Sequence, residues 1–157
     1  MMNCFGLSNS AIAWLDKYYP ISVERVTSKW PWIKAAKYSL LKWKGARPKI
    51  LEKHGLEKRG VDIYDRNSDA LVICFDCVIC HMCIRSVIDP FEDKYSFRCC
   101  YHCPFTKIFH NNCYNSINSP YALWEKYNDP EPMIKALEKV YRVLKRDPKF
   151  MSKRTPL

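Results

Sequence analysis

Eight of the nine cysteines in this 157-residue chain fall between Cys74 and Cys113, and that clustering constrains the fold more than any other feature. The run Cys74-Phe-Asp-Cys77-Val-Ile-Cys80-His-Met-Cys83 holds three overlapping Cys-x-x-Cys pairs, and Cys99-Cys100-Tyr-His-Cys103-Pro104 supplies another. A two-residue spacer lets the backbone amides fold round the sulfur while both thiolates of one turn reach a single ion; two such turns complete a tetrahedral site. Buried free thiols have no physical reason to recur three times at a three-residue interval. Nineteen residues lie between Cys80 and Cys100 and sixteen between Cys83 and Cys100. Both gaps suit a zinc ribbon, so two registers are open. We favour Cys77, Cys80, Cys100 and Cys103 as the first zinc site. Cys74, Cys83, Cys99 and Cys113 are enough for a second, with His81, His102 and His110 as substitutes. Asp89-Pro90 followed by Tyr95-Ser96-Phe97 reads as a turn and brief strand of the ribbon hairpin between the knuckles. An iron-sulfur cluster is the alternative cofactor, since Cys-x-x-Cys-x-x-Cys and Cys103-Pro104 echo parts of the bacterial ferredoxin pattern. Here, however, the Cys-Pro lies far downstream and Cys83 is not followed by Pro.

Reading the cysteines as ligands rather than disulfides requires a reducing compartment. Met1 to Pro20 has no cationic n-region, carries Asp16 and Lys17 within its apolar stretch, and shows no small-residue cleavage site. The longest uninterrupted apolar run, Ala70 to Phe75, is far short of the roughly 20 residues of a membrane helix. A cytoplasmic protein with no membrane partner is expected. Its size suits one domain, and 48% hydrophobic with 27% charged residues is an ordinary globular balance.

Four segments are expected: a basic helical region over 1–69, the cysteine block over 70–118, a helical pair over 119–147, and a basic tail over 148–157. Formal charge is +8 over residues 1–60, −2 over 61–113 and +4 over 114–157. Ser8 to Tyr19 reads as a helix ended by Pro20, with Ile12, Leu15 and Tyr19 on one face. A second helix is punctuated by Ser28 as cap, Pro31 in the first turn and Gly45 just past the end. At 100° per residue its inward side is Trp32, Ile33, Ala36, Leu40 and Trp43, with Lys34, Lys37, Tyr38 and Lys44 on or near the other. Pro48 to His54 adds one or two turns, residues 56–69 read as a polar loop, and Ala70 to Phe75 as a strand. Ser119-Pro120 and Asp129-Pro130 each open a helix, to about Asn128 and Arg146. The fold class expected is α+β and mainly helical, the helices packed round a central zinc-ribbon-like knuckle.

Several strings together, namely Ser39-Leu-Leu-Lys-Trp-Lys-Gly45, Cys77-x-x-Cys80, Cys100-x-x-Cys103-Pro104, Cys113, Ser119-Pro-Tyr121-x-x-Trp124 and Asp129-Pro-Glu-Pro-Met-Ile134, span most of the chain. Jointly the pattern resembles an uncharacterised cysteine-rich family of bacteriophages and prophages. The resemblance implies a phage-encoded protein acting in the bacterial host cytoplasm. It also tilts ligand choice toward Cys77, Cys80, Cys100 and Cys103, with Cys113 as rival, and attaches no activity.

The last helix should bury Met133, Ile134, Leu137, Val140, Tyr141 and Leu144, leaving Lys135, Lys139, Arg142 and Arg146 within about 60° of one another opposite. A charged face opposite a core face is usually only solvated, but this row is of one sign, and only Glu131 and Glu138 approach it. Phosphate would relieve the repulsion. Even after each four-thiolate zinc centre contributes −2, the formal +10 falls only to about +8 or +6. The excess favours nucleic acid or an acidic host protein as partner, with Lys34, Lys37, Tyr38, Lys44, Lys135, Lys139, Arg142 and Arg146 as contact candidates. Catalysis has little support. The His-x-Glu of a zinc deaminase is missing, His110-Asn111-Asn112 lacks the Asp-His pair of a zinc-supported nuclease, and there is no phosphate-cradling glycine loop. His54 reads as a helix-end cation and the tryptophans mainly as core. The function expected is a zinc-stabilised noncatalytic binding protein. A phage effector gripping a host protein, or an iron-sulfur sensor, are the alternatives.

Overall fold

The computed structural model describes residues 6–22, 25–27, 29–74, 78–80, 103–111, 113 and 118–152. These form a mainly helical α+β arrangement: α1 (Asn9–Tyr18), α2 (Trp32–Gly45), α3 (Pro48–Lys53), β1 (Leu56–Arg59), β2 (Asp62–Asp65), β3 (Ala70–Cys74), α4 (Pro104–Phe109), α5 (Pro120–Tyr127) and α6 (Glu131–Arg146), with a 3₁₀ turn at Phe150–Ser152. Among the described residues no helix is long and apolar enough to cross a membrane.

Ser8 caps α1, its hydroxyl accepting the Ala11 amide at 3.2 Å. The buried side of α1 is Ala11, Trp14 and Leu15, with Tyr19 just beyond, whereas Ile12 is only half-buried. Trp14 goes inward because its indole N–H finds a partner there, the Gly45 carbonyl at 3.0 Å. Asp65, fully buried, accepts the Ser8 amide at 2.6 Å and the Asn67 amide at 3.0 Å, tying the start of α1 to the end of β2. His54, closing α3, contacts the Ser10 carbonyl at 3.0 Å. A carbonyl only accepts, so Nδ1 carries the hydrogen.

α2 corrects the expected wheel. Its buried residues are Ala35, Ala36, Ser39, Lys42, Trp43 and Gly45, while Trp32, Ile33 and Leu40 are half-buried. Small residues decide the face, because they let neighbouring elements come close. Gly45 is the last helical residue rather than a stop beyond the helix, and a Cβ there would lie 2.6 Å from Cβ and Cγ of Tyr18. Lys42 buries its stem with the ammonium 4.6 Å from the Tyr19 ring centroid. Pro31 occupies the cap position without a side-chain hydrogen bond, and Ser28 lies outside the described residues.

Residues 56–69, expected as loop, form an antiparallel hairpin, with Leu56 opposite Asp65 and Arg59 opposite Asp62. Gly60, at φ 61°, supplies the left-handed residue its two-residue connection needs. β3 adds to β2 with Ile63 opposite Ile73, giving the order β1-β2-β3 with a register shift beside Ile63 and Tyr64. Leu56, Ile63, Val72 and Ile73 are the buried apolar side chains of the sheet, beside the buried Asp65.

α5 and α6 begin where the Ser-Pro and Asp-Pro pairs placed them. Ser119 caps α5, and the Asp129 carboxylate accepts the Glu131 amide at 3.0 Å. α6 buries Met133, Ile134, Ala136, Leu137, Val140 and Leu144, with Tyr141 half-buried. Its most extensive packing is on α2, with α4 and α5 also against it. Trp43 of α2 meets Trp124 of α5 edge-to-face at 5.0 Å, and Tyr121 completes the aromatic cluster. Lys58 reaches across from β1 with its ammonium 4.7 Å from the Trp124 ring and donates to the Glu125 carbonyl at 3.0 Å. Burial there lowers its pKa, and nearby Glu125 only partly offsets this.

Candidate metal centre and basic faces

Of the preferred zinc ligands, Cys77 and Cys100 lie outside the described residues, as do Cys83, Cys99, His81 and His102 and the expected hairpin over Asp89 to Phe97. The zinc-ribbon knuckle itself therefore falls outside them. Cys74 ends β3, Cys80 is half-buried at the end of a helical turn over 78–80, Cys103 is buried just ahead of α4, and Cys113 is half-buried. Among the described residues no three His, Cys, Asp or Glu side chains converge to hold a metal.

What the described residues do place is the footing of each Cys-x-x-Cys. Val78 and Ile79 are buried, and the Ile79 amide donates to the hydroxyl of buried Ser39 on α2 at 3.1 Å. Cys103 enters α4 through Pro104, whose fixed φ suits a first helical turn, and α4 packs on α6 through buried Pro104 and Phe105. The Cys113 carbonyl accepts the Tyr121 amide at 3.0 Å, at the start of α5. Cys80, Cys103 and Cys113 are thus tied respectively to α2 by the Ile79–Ser39 hydrogen bond, to the start of α4 and to the start of α5. His110, at φ 53°, is exposed at the end of α4.

Lys135, Lys139, Arg142 and Arg146 are all exposed along α6. None makes an ion pair among the described residues; Lys139 lies 4.8 Å from the Phe109 ring centroid and Arg142 Nε donates to the Glu138 carbonyl at 3.4 Å. The two acids of α6 turn elsewhere. Glu138 pairs with Lys44 at 3.1 Å, and Glu131 takes Arg47 Nε and Nη2 on its two oxygens at 2.6 and 3.2 Å. The Arg47 hydrogen bonds hold the Glu131 carboxyl below the usual carboxylate range. Lys44 therefore belongs to the contact between α2 and α6 and is not a free cation of the outer face of α2.

That outer face keeps Lys34 and Lys37 exposed and Tyr38 half-buried. Trp30, sorted by sequence with the core, is half-buried instead: the Lys34 ammonium lies 3.9 Å from its ring centroid, and the Tyr38 ring 5.9 Å away. Its spacing was the available signal, since Trp30, Lys34 and Tyr38 stand four apart in sequence, although Trp30 lies just ahead of α2. No family model, curated protein or solved structure matches this chain.

Proposed function

We propose that this protein is a noncatalytic nucleic-acid-binding module, stabilised by zinc on its cysteine block, phage-encoded and at work in the host cytoplasm. The observation that carries the nucleic-acid reading is the sorting of charge on α6. Four exposed cations line one side while Glu131 and Glu138 are drawn to Arg47 and Lys44. A helix whose acids are engaged elsewhere holds a like-charged row that phosphate neutralises and that few intramolecular partners relieve. Zinc is the cofactor favoured by the spacing of Cys77, Cys80, Cys100 and Cys103.

The test is a salt series of binding to random DNA and RNA, with wild type and the variant carrying Lys135→Gln, Lys139→Gln, Arg142→Gln and Arg146→Gln. Gln is a good helix former, so the fold should persist. Each phosphate contact contributes roughly 0.7 to 0.9 to the slope of log affinity against log salt, so the variant should flatten it by about three units. Wild-type affinity and slope in the variant would leave the row merely solvated. Failure of wild type to bind nucleic acid, with row-dependent capture of an acidic protein from a nuclease-treated bacterial lysate, would reassign the same residues to a host protein.

A further inference from the structure

Three of the five tryptophans, Trp14, Trp43 and Trp124, are wholly buried, but Trp30 is not. It packs partly on the core and lies just ahead of α2, its ring beside Lys34 and Tyr38 of that helix. The Trp30 and Tyr38 ring centroids lie 5.9 Å apart. The rings are inclined at 48°, so they do not stack on each other, and both are half-buried rather than enclosed. Exposed Lys37 flanks Tyr38, and α2 contains no Asp or Glu from Trp32 to Gly45.

We infer that Trp30 and Tyr38 are a stacking platform for unpaired bases, with Lys34 and Lys37 as its phosphate contacts, so that the partner of this face is single-stranded nucleic acid. The inference rests on the nucleic-acid reading above and adds to it a strand class and a second surface. In a duplex the faces of the bases are covered by their neighbours; only an unpaired strand offers them to aromatic side chains. Lys34 over Trp30 is compatible with this. The solvent-exposed Lys34 ammonium is held on the ring more weakly than a stacked base, so it gives up the ring and takes the phosphate beside the base. The acid-free helix attracts the backbone, and the rings then select for strands whose bases are free.

The experiment measures anisotropy of a labelled thymidine oligomer of about 15 nucleotides, and of a duplex of the same length, against wild type and the double variant Trp30→Leu, Tyr38→Leu. The single-strand affinity of the double variant should fall about tenfold or more, while duplex affinity and the salt slope stay as in wild type, because stacking is not electrostatic. Trp30→Phe, which keeps a ring, should restore most of the Trp30 part. Unchanged duplex binding also reports that the variant is folded. Unaltered single-strand affinity in the double variant, or an equal loss for strand and duplex, overturns the platform. If the α6 variant alone then loses binding, the nucleic-acid reading stands without it. Wild type that binds neither probe overturns that reading and the platform together.

Discussion

At the scale of the residue, Asp65 shows how a buried charge is held. Burial alone would raise its carboxyl, but hydrogen bonds from the Ser8 amide and hydroxyl, the Asn67 amide and the Ser68 hydroxyl overcome it and hold the group below the usual carboxylate range. Its stabilising contribution is therefore complete above the ordinary carboxyl pKa of about 4 and is lost as pH falls through the lower folded-state value. Asp65→Asn should cost about 2 kcal/mol at neutral pH, since an amide cannot accept on both sides and hydrogen bonds to charged groups are the stronger ones. Thermal melts of both proteins from pH 7 to 3 should show the gap constant at first and closing below about pH 4. Gly45 makes the opposite kind of demand. Alanine there gains about 1 kcal/mol of helix propensity, yet its Cβ meets Cβ of Tyr18, an atom fixed to the α1 backbone. Gly45→Ala should be destabilising by about 1 kcal/mol or more net, read as a lower urea midpoint; a higher midpoint would show that α1 shifts freely.

At the scale of the element, α6 was the most legible part of the chain. Long apolar residues at helical spacing fixed both its buried side and its exposed row, and the Ser-Pro and Asp-Pro pairs fixed where α5 and α6 begin. α2 was misread by part of a turn because its buried face is made of Ala35, Ala36, Ser39 and Gly45. Hydrophobic periodicity gives such residues little weight, although closeness of approach depends on them. The β1–β2 hairpin was illegible for a related reason: Leu-Glu-Lys-Arg and Asp-Ile-Tyr-Asp each commit one large aliphatic residue to the core, and backbone pairing round Gly60 supplies the rest. The Lys44–Glu138 contact was invisible because it joins elements far apart in sequence. Its side chains are 37% and 44% exposed, so it contributes under about 1 kcal/mol. Glu138→Gln should thus leave the melting temperature nearly unchanged while removing an acid from the helix that carries the basic row. We expect tighter nucleic-acid binding at low salt and a steeper salt dependence; weaker binding would mean that Glu138 positions the row rather than shielding it.

At the scale of the whole molecule, the candidate metal centre rests on sequence spacing alone, and of its proposed ligands Cys80 and Cys103 lie within the described residues, on segments packed against α2 and α6. Purified protein should contain at least one zinc per chain, and Cys100→Ser or Cys103→Ser should lose it. Thiolate ligation of zinc contributes on the order of 10 kcal/mol in small finger peptides, comparable to the whole net stability of a domain, so melting should drop sharply. Iron with acid-labile sulfide, or no metal and unchanged melting, would overturn the zinc assignment. The bond from the Ser8 amide to Asp65 has a consequence of another kind, for the order in which the chain folds. It joins residues 57 apart, so closing it costs more chain entropy than pairing the hairpin, and we expect it to form after the hairpin. If it is absent from the transition state, its removal speeds unfolding without slowing folding. In stopped-flow experiments Asp65→Asn should mainly raise the unfolding arm of the chevron, the start of α1 then acting as a latch on the folded state; a slowed folding arm would show that the local bonds from Asn67 and Ser68, which the substitution also alters, form before the barrier.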